Sequence, residues 1–136
     1  ELQVGSYVFT DTDYGRLQTG SGGAPPYEPS LFVLATVTSV NRTSEFTVDT
    51  GVKAMAFNGP SPELLIGAPA GPRYRFGGDE HGMITLPPGS AAPKLVSRLL
   101  LLTTHCDPTV NLHARYYVVG HNNGVESWPV LARYGS

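Results

Sequence analysis

Cysteine is almost absent from the sequence, and so is any long apolar run. Cys106 is the only cysteine among the 136 residues, which excludes a disulfide within the chain and removes one argument for secretion. The longest apolar run, at residues 99–102, is far shorter than the ~20 residues that a membrane-spanning helix needs. We therefore expect a folded protein of the cytoplasm, without a membrane segment.

Charge is also sparse. Charged residues make up 15% of the chain and the formal net charge is -2, so there is no electrostatic reason to expect binding to nucleic acid or to an anionic membrane. The sequence has no G-x-x-x-x-G-K-[ST] loop, no dinucleotide-binding glycine pattern behind a strand and no G-x-S-x-G elbow. It therefore lacks a phosphate cradle or a nucleophile of these types.

Glycine and proline are abundant. The 16 Gly and 12 Pro are spread between short apolar segments, a pattern typical of many short strands joined by turns. We predict an all-β fold with no helix longer than two turns: an antiparallel, Greek-key-like β-barrel that is closed or nearly closed, or a compact sandwich. The main strands are predicted at residues 2–10, 31–40, 45–49, 63–67, 74–76, 83–86, 95–104, 115–119 and 125–130.

The length of the chain fits one domain. The sequence begins with Glu1, already within a strand-like pattern, whereas a complete protein more often begins with Met and a poorly ordered lead-in. We therefore expect residues 1–136 to be a single β domain from a longer polypeptide.

The densest group of residues that could carry chemistry is THCDPTVNLH, at residues 104–113. In an extended segment successive side chains alternate faces, so His105 and Asp107 point the same way and Cys106 points opposite, into the core. An imidazole and a carboxylate on one face form a two-point seat for Zn²⁺, Mn²⁺ or Mg²⁺, with the open positions of a catalytic ion. Pro108 is expected to end the strand at an accessible rim. The alternative is a His–Asp pair that only binds local backbone.

The other polar groups favour structural roles. The segment DEHG at residues 79–82 is interpreted as a charged turn between two strands. Asp49 and Lys53 could form an internal ion pair at a strand end. Covalent binding of a cofactor by Lys53 would need a pocket that lowers its pKa, and the sequence shows only a turn there. Four tyrosines are interpreted as aromatic residues of a core or an interface: Tyr7, Tyr14, Tyr116 and Tyr117.

Several of these segments together resemble a known family. Residues 105–113, continued by RYYVV at residues 115–119 and by Trp128-Pro129, resemble the C-terminal signature of the D-threonine aldolase/D-serine dehydratase family. Residues 5–9 with 13–14, residues 48–54 and residues 80–82 are similar to the same family in the same order. The resemblance implies the architecture of alanine racemase. An N-terminal (β/α)₈ barrel, absent from this chain, holds pyridoxal phosphate on a lysine, and a C-terminal β domain packs against it.

The resemblance also implies roles for residues of this chain. His105 and Asp107 are the expected ligands of a divalent cation (Mn²⁺, Mg²⁺ or Zn²⁺), which takes the β-hydroxyl of a D-β-hydroxy amino acid beside the cofactor. Lys53 is not the cofactor lysine. Family aldolases tend to have His-x-Asp at this site and family dehydratases His-x-Cys, so this chain is more similar to the aldolases.

These features favour the metal-binding C-terminal domain of a pyridoxal-phosphate-dependent D-threonine aldolase-like lyase. Such an enzyme splits D-3-hydroxy amino acids into glycine and an aldehyde, and the domain is expected to be inactive without its barrel. The resemblance also implies a homodimer. Two alternatives stay open: a D-serine or 3-hydroxyaspartate dehydratase domain, and a stand-alone, non-catalytic binding module.

Overall fold

The computed structural model describes residues 5–18, 20, 22–23, 27–66 and 71–131. Strands dominate this part of the chain, and one short α-helix follows the sixth strand. Within these residues, no helix has the length and apolar character needed to cross a membrane. In chain order the elements are the 3₁₀ helices Ser6–Val8 and Tyr14–Arg16, β1 (Phe32–Ser39), β2 (Glu45–Val48), β3 (Glu63–Ile66), β4 (Arg73–Phe76), β5 (Gly82–Thr85), β6 (Arg98–Leu102), α1 (Cys106–Asn111), β7 (Arg115–Val119) and β8 (Val125–Pro129).

The first six strands form one antiparallel sheet, in the order β3-β6-β1-β2-β5-β4. β1 joins its two halves, because Phe32 to Thr36 pair with β6 while Val37 and Ser39 pair with β2. The register shifts between Val37 and Ser39, and an irregularity of this kind bends a strand. The sheet curls until its two edge strands, β3 and β4, contact each other. The prediction of an all-β, antiparallel, nearly closed fold is therefore confirmed.

The hydrophobic core lies on one face of the curled sheet. Along β1, Val33, Ala35 and Val37 are buried while Leu34 between them is 56% exposed, as expected from the two-residue period of a strand. Burial of one such side chain contributes about 1.5–3 kcal/mol. The same core receives side chains from the other strands and from the segment after β2: Phe46, Val48, Met55, Tyr74, Ile84, Leu86, Leu99 and Leu101.

Tyr74 in β4 explains why β5 begins with a glycine. The Tyr74 hydroxyl donates a hydrogen bond to the carbonyl oxygen of Thr50 at 2.5 Å, and burial raises the pKa of Tyr74. A Cβ atom at Gly82 would lie 2.3 Å from Cε2 of Tyr74 and 2.7 Å from the Thr50 carbonyl oxygen. Only glycine leaves room for the tyrosine ring to cross β5 at this point.

β7 and β8 form a hairpin separate from the six-stranded sheet. A two-stranded ribbon is marginally stable by itself, and this one is fastened by the ring of Tyr116, whose centroid lies 5.8 Å from that of Phe9. Large side chains of the hairpin face outward, and Tyr117 is 73% exposed. Tyr7 and Tyr14 are also exposed, so these three tyrosines are not core residues of this chain, and the interpretation of them as interface residues stays a prediction.

Two strand predictions need correction. Residues 2–4 of the strand predicted at residues 2–10 lie outside the described residues, but Ser6–Val8 is a 3₁₀ helix. Thr10 has a φ of 54°, a left-handed conformation that strands do not accommodate. The strand predicted at residues 95–104 is shorter, because Val96 has a φ of 60° and the chain is extended only from Arg98 to Leu102.

Candidate functional site

The candidate site lies where β6 ends and α1 begins. His105 is extended, with φ -148° and ψ 117°, and the helix starts at the next residue. Pro108 therefore lies in the first turn of α1, where the missing N–H of proline is tolerated. The prediction that Pro108 ends a strand is wrong. A proline near the beginning of a polar segment is also a signal for the start of a helix. In the sequence this signal is weaker than the apolar, strand-like pattern of residues 95–104 before it.

The imidazole of His105 and the carboxylate of Asp107 lie side by side. Nε2 of His105 is 3.5 Å from Oδ2 of Asp107, and the two side chains are 36% and 60% exposed. The prediction that they share a face is confirmed. The first turn of a helix brings them together, whereas the prediction assumed an extended strand. On the other side of the ring, Nδ1 of His105 is 2.9 Å from the amide nitrogen of Asn58. The ring is thus held between an amide and a carboxylate.

Asp107 accepts hydrogen bonds from two neighbours. The hydroxyl of Ser6 donates to Oδ2 at 2.5 Å, and the thiol of Cys106 donates to the same oxygen at 3.6 Å. The bond from Ser6 is the largest cause that holds the pKa of Asp107 below its ordinary value. The side chain is therefore a carboxylate at neutral pH, which is the form that binds a cation.

Cys106 is buried beside this pair. Its side chain is 1% exposed, and burial raises the pKa of its thiol to about 11. The interpretation of Cys106 as a core residue is confirmed, but its sulfur does not point away from Asp107. The thiol of Cys106 therefore supports the carboxylate of Asp107 through its hydrogen bond.

Asp11 is a buried carboxylate that pattern analysis of the sequence missed. It is 0% exposed. Oδ2 accepts a hydrogen bond from the backbone N–H of Cys106 at 3.0 Å, while Oδ1 accepts from the N–H groups of Asp13 and Tyr14 at 3.1 and 3.0 Å. An Asp side chain that accepts hydrogen bonds from backbone N–H groups two or three residues later forms an Asx-turn. The run D-x-D-Y signals that turn but not the contact with residue 106.

The second polar cluster is structural. Nζ of Lys53 lies 2.6 Å from Oε1 of Glu80 and 3.6 Å from Oδ2 of Asp79, and all three side chains are exposed. The interpretation of residues 79–82 as a charged turn agrees with this network. The predicted ion pair between Asp49 and Lys53 is wrong, since Oδ1 of Asp49 accepts the N–H of Thr36 at 2.6 Å.

His105 and Asp107 fit a divalent cation as a pair. Two ligand atoms about 2.1 Å from a tetrahedral ion are separated by roughly 3.4 Å, which is close to the observed 3.5 Å. Nitrogen and oxygen donors suit Zn²⁺, Mn²⁺ and Mg²⁺. No group of three or more His, Cys, Asp or Glu side chains is arranged for a metal in the part of the chain that the structure describes. Such a pair could hold an ion only with open positions for water or substrate.

Comparison with known proteins places these observations in a family. Residues 30–119 match the family model of a putative serine dehydratase domain. The chain is 40% identical over 133 residues to the D-threonine aldolase of Arthrobacter sp, with 98% of this chain and 34% of that protein covered. It is 37% identical over 137 residues to the 3-hydroxy-D-aspartate aldolase of Paracoccus denitrificans, again with 98% and 34% covered.

A solved structure gives the same result. The crystal structure of D-threonine aldolase from Filomicrobium marinum superposes with a TM-score of 0.81 at 35% sequence identity, and the match covers 92% of this chain and 34% of that one. The chain therefore spans about a third of the length of the relatives it matches.

Proposed function

Because the chain belongs to the family of the putative serine dehydratase domain, we propose that it is the metal-binding C-terminal β domain of a D-threonine aldolase-like lyase. The observation that carries the proposal is the 3.5 Å pair formed by Nε2 of His105 and Oδ2 of Asp107. Residues 1–136 are then one domain of a longer enzyme. The relatives support that view, because this chain covers only 34% of their length.

The proposed reaction splits a D-3-hydroxy amino acid into glycine and an aldehyde. Two relatives are a D-threonine aldolase and a 3-hydroxy-D-aspartate aldolase, which favours carbon–carbon cleavage over loss of ammonia. Asp107 favours it too, since dehydratases that this chain resembles tend to have cysteine there. A divalent cation (Mn²⁺, Mg²⁺ or Zn²⁺) bound at this site would act as a Lewis acid on the β-hydroxyl oxygen of the substrate.

In this scheme, residues of this chain bind the cation and orient its ligands. His105 offers Nε2. The side-chain NH₂ of Asn58 donates to Nδ1 at 2.9 Å, so a neutral ring in this arrangement carries its proton on Nε2. Binding of a cation by Nε2 would move that proton to Nδ1, and the Asn58 amide would have to rotate so that its oxygen accepts the Nδ1–H. Asp107 offers a carboxylate that accepts a hydrogen bond from the hydroxyl of Ser6. Both side chains are open to the outside, so a substrate held mainly by the rest of the enzyme can reach them.

Pyridoxal phosphate is proposed to bind in the rest of the enzyme and not here. A lysine that binds this cofactor covalently must present a neutral amine. Lys53 does not fit, because its hydrogen bond with Glu80, together with the charges of Glu80 and Asp79, raises its pKa. The proposal further includes a cytoplasmic homodimer, in which the barrel domain is the partner of this domain and a D-hydroxy amino acid is the substrate.

The test is an assay of the full-length protein with D-threonine, after chelation and with or without added Mn²⁺. We expect glycine and acetaldehyde to be released only when Mn²⁺ is present. Ammonia and a keto acid in their place would indicate the dehydratase alternative. Absence of turnover with any D-3-hydroxy amino acid would favour the non-catalytic binding module.

Point variants connect the assay to the site. His105→Ala and Asp107→Ala are expected to abolish the Mn²⁺-dependent turnover, because each leaves one protein ligand. His121→Ala and Asp79→Ala remove an exposed histidine and an exposed aspartate elsewhere and are expected to keep it. Full activity in both site variants would contradict the proposal.

A further inference from the structure

The proposed metal ligands are connected to the N-terminal part of the chain through a buried aspartate, Asp11. Asp11 is 0% exposed, and a buried carboxylate is costly unless hydrogen bonds compensate it. Asp11 receives such bonds from the N–H groups of Asp13, Tyr14 and Cys106. Two of these donors are local. The third lies 95 residues away in sequence.

That third donor lies between the two proposed ligands. The N–H of Cys106 belongs to the peptide that links His105 to Cys106, and Asp107 follows directly. It is also one of the N–H groups that the first turn of a helix leaves without a partner. The side chain of His105 makes no capping hydrogen bond to α1, so its imidazole is available to bind a cation. Asp11 takes the capping role from outside the helix.

The same segment holds the ligand backbone at further points. The N–H of Thr12 donates to the carbonyl oxygen of Thr103 at 3.0 Å, and its hydroxyl donates to the carbonyl oxygen of Thr104 at 3.5 Å. Thr12, Thr103 and Thr104 are all buried. Residues 11–12 therefore fix the chain immediately before and within the pair, which restricts how far Nε2 of His105 and Oδ2 of Asp107 can separate.

We propose that Asp11 is a positioning residue of the metal site, which sets the affinity for the cation by fixing the Cys106 peptide between His105 and Asp107. The inference rests on the proposed function. It assigns Asp11 no contact with the cation, because its carboxylate oxygens are occupied by the three N–H groups. Partners that orient metal ligands in this way typically change metal affinity by about 10–100-fold when they are removed.

The test measures Mn²⁺ affinity directly. Chelated full-length protein is titrated with Mn²⁺, and the free ion is followed by its electron paramagnetic resonance signal, with His105→Ala as the reference for loss of the site. Asp11→Asn keeps the size of the side chain but replaces one acceptor oxygen with an NH₂ group. We expect its dissociation constant to rise by about 10–100-fold. The matched control is Asp13→Asn, an exposed aspartate two residues away, with an expected change within about twofold.

A second variant separates the long-range bond from the local turn. Asp11→Ser keeps one oxygen that can form the local turn with Asp13 and Tyr14, but it cannot also reach Cys106. Its Mn²⁺ affinity is expected to fall as in Asp11→Asn, while near-UV circular dichroism at the titration temperature matches the unsubstituted protein.

The outcomes distinguish the two proposals. Folded Asp11→Asn and Asp11→Ser variants with affinity within twofold of the unsubstituted protein would overturn the role of Asp11 and leave the metal site standing. Loss of the fold in both variants would also overturn it, because Asp11 would then serve stability alone. Failure of the folded, unsubstituted protein to bind Mn²⁺ would overturn the proposed function itself.

Discussion

The hydroxyl of Ser6 lies 2.5 Å from Oδ2 of Asp107, although the two residues are 101 positions apart in sequence. Ser6 is buried while Asp107 is exposed, so the hydrogen bond joins the interior of the N-terminal segment to the accessible end of the proposed site. A strand at residues 2–10 would have placed alternate side chains on opposite faces. The 3₁₀ helix turns Ser6 inward toward α1.

Replacement of Ser6 tests this bond. Ser6→Ala removes the donor and leaves a buried methyl group. We expect a loss of about 1 kcal/mol in the free energy of unfolding. This value is at the low end for a hydrogen bond to a charged acceptor, because Asp107 is open to water. Urea unfolding of the metal-free protein by far-UV circular dichroism measures it. Ser44→Ala, in the exposed turn between β1 and β2, is the control, and equal losses in the two variants would contradict the prediction.

Replacement of Gly82 tests the packing of Tyr74 across β5. A Cβ atom in Gly82→Ala would lie 2.3 Å from the tyrosine ring, so either β4 or β5 must shift. We expect a loss of about 1–3 kcal/mol or more, as for other overpacked cores, measured as a lower unfolding midpoint. At Gly20 a Cβ atom meets nothing within 4 Å, and Gly20→Ala should leave the midpoint nearly unchanged. A similar midpoint in both variants would show that the strands can relax around the added methyl group.

The hydroxyl of Tyr74 makes stability depend on alkaline pH. Its pKa is raised above the ordinary value of 10.0 by burial, so the folded state favours the protonated phenol. The contribution is complete below the ordinary pKa and is lost as the pH rises from about 10 toward the raised value. Titration at 295 nm should show one of the seven tyrosines ionising only as the protein unfolds, and this component should be missing in Tyr74→Phe.

The same variant tests the buried hydrogen bond at neutral pH. Tyr74→Phe leaves the carbonyl oxygen of Thr50 without its donor, and we expect a loss of about 1–3 kcal/mol. Tyr117→Phe removes a hydroxyl from a side chain that is 73% exposed and should cost nothing measurable. An unchanged midpoint in Tyr74→Phe would mean that water replaces the phenol at Thr50.

The thiol of Cys106 is expected to resist alkylation. It is 1% exposed and its pKa is raised to about 11. At pH 8 the reagent therefore has little access to the sulfur, and little of the thiol is in the reactive thiolate form. Peptide mass spectrometry after iodoacetamide treatment should find Cys106 unmodified in the folded protein and modified in guanidinium chloride. Rapid modification of the folded protein would indicate that α1 opens readily.

Local patterns in the sequence predicted most of the sheet. The alternation around Val33, Ala35 and Val37 and the turn before Glu45 are local signals, and β1 and β2 appear where these signals place them. The hairpin of β7 and β8 likewise matches its predicted position. The nearness of His105 and Asp107 was also predictable, because residues two apart in sequence are close in either a strand or a first helical turn.

Contacts between distant residues could not be predicted in this way. Nothing local to Asp11 indicates that its carboxylate meets the N–H of a residue 95 positions later. The same holds for the amide of Asn58, which reaches His105 across 47 positions. The helix that begins at Cys106 was missed for a related reason. The N–H at its start is bonded to the distant Asp11, and the local signal from Pro108 is weaker than the apolar strand pattern before it.

The exposed hairpin has a consequence for spectroscopy. Trp128 is the only tryptophan of the chain, and it lies in β8 with 52% of its surface open to water. Its indole N–H donates to Oε2 of Glu126 at 2.9 Å, also on the hairpin. Tryptophan fluorescence of this domain therefore monitors the hairpin directly. The hydrophobic core of the curled sheet contains tyrosine and phenylalanine but no tryptophan. A change in emission wavelength would report a partner that binds over β8, while melting of the core would be detected only through its effect on the hairpin.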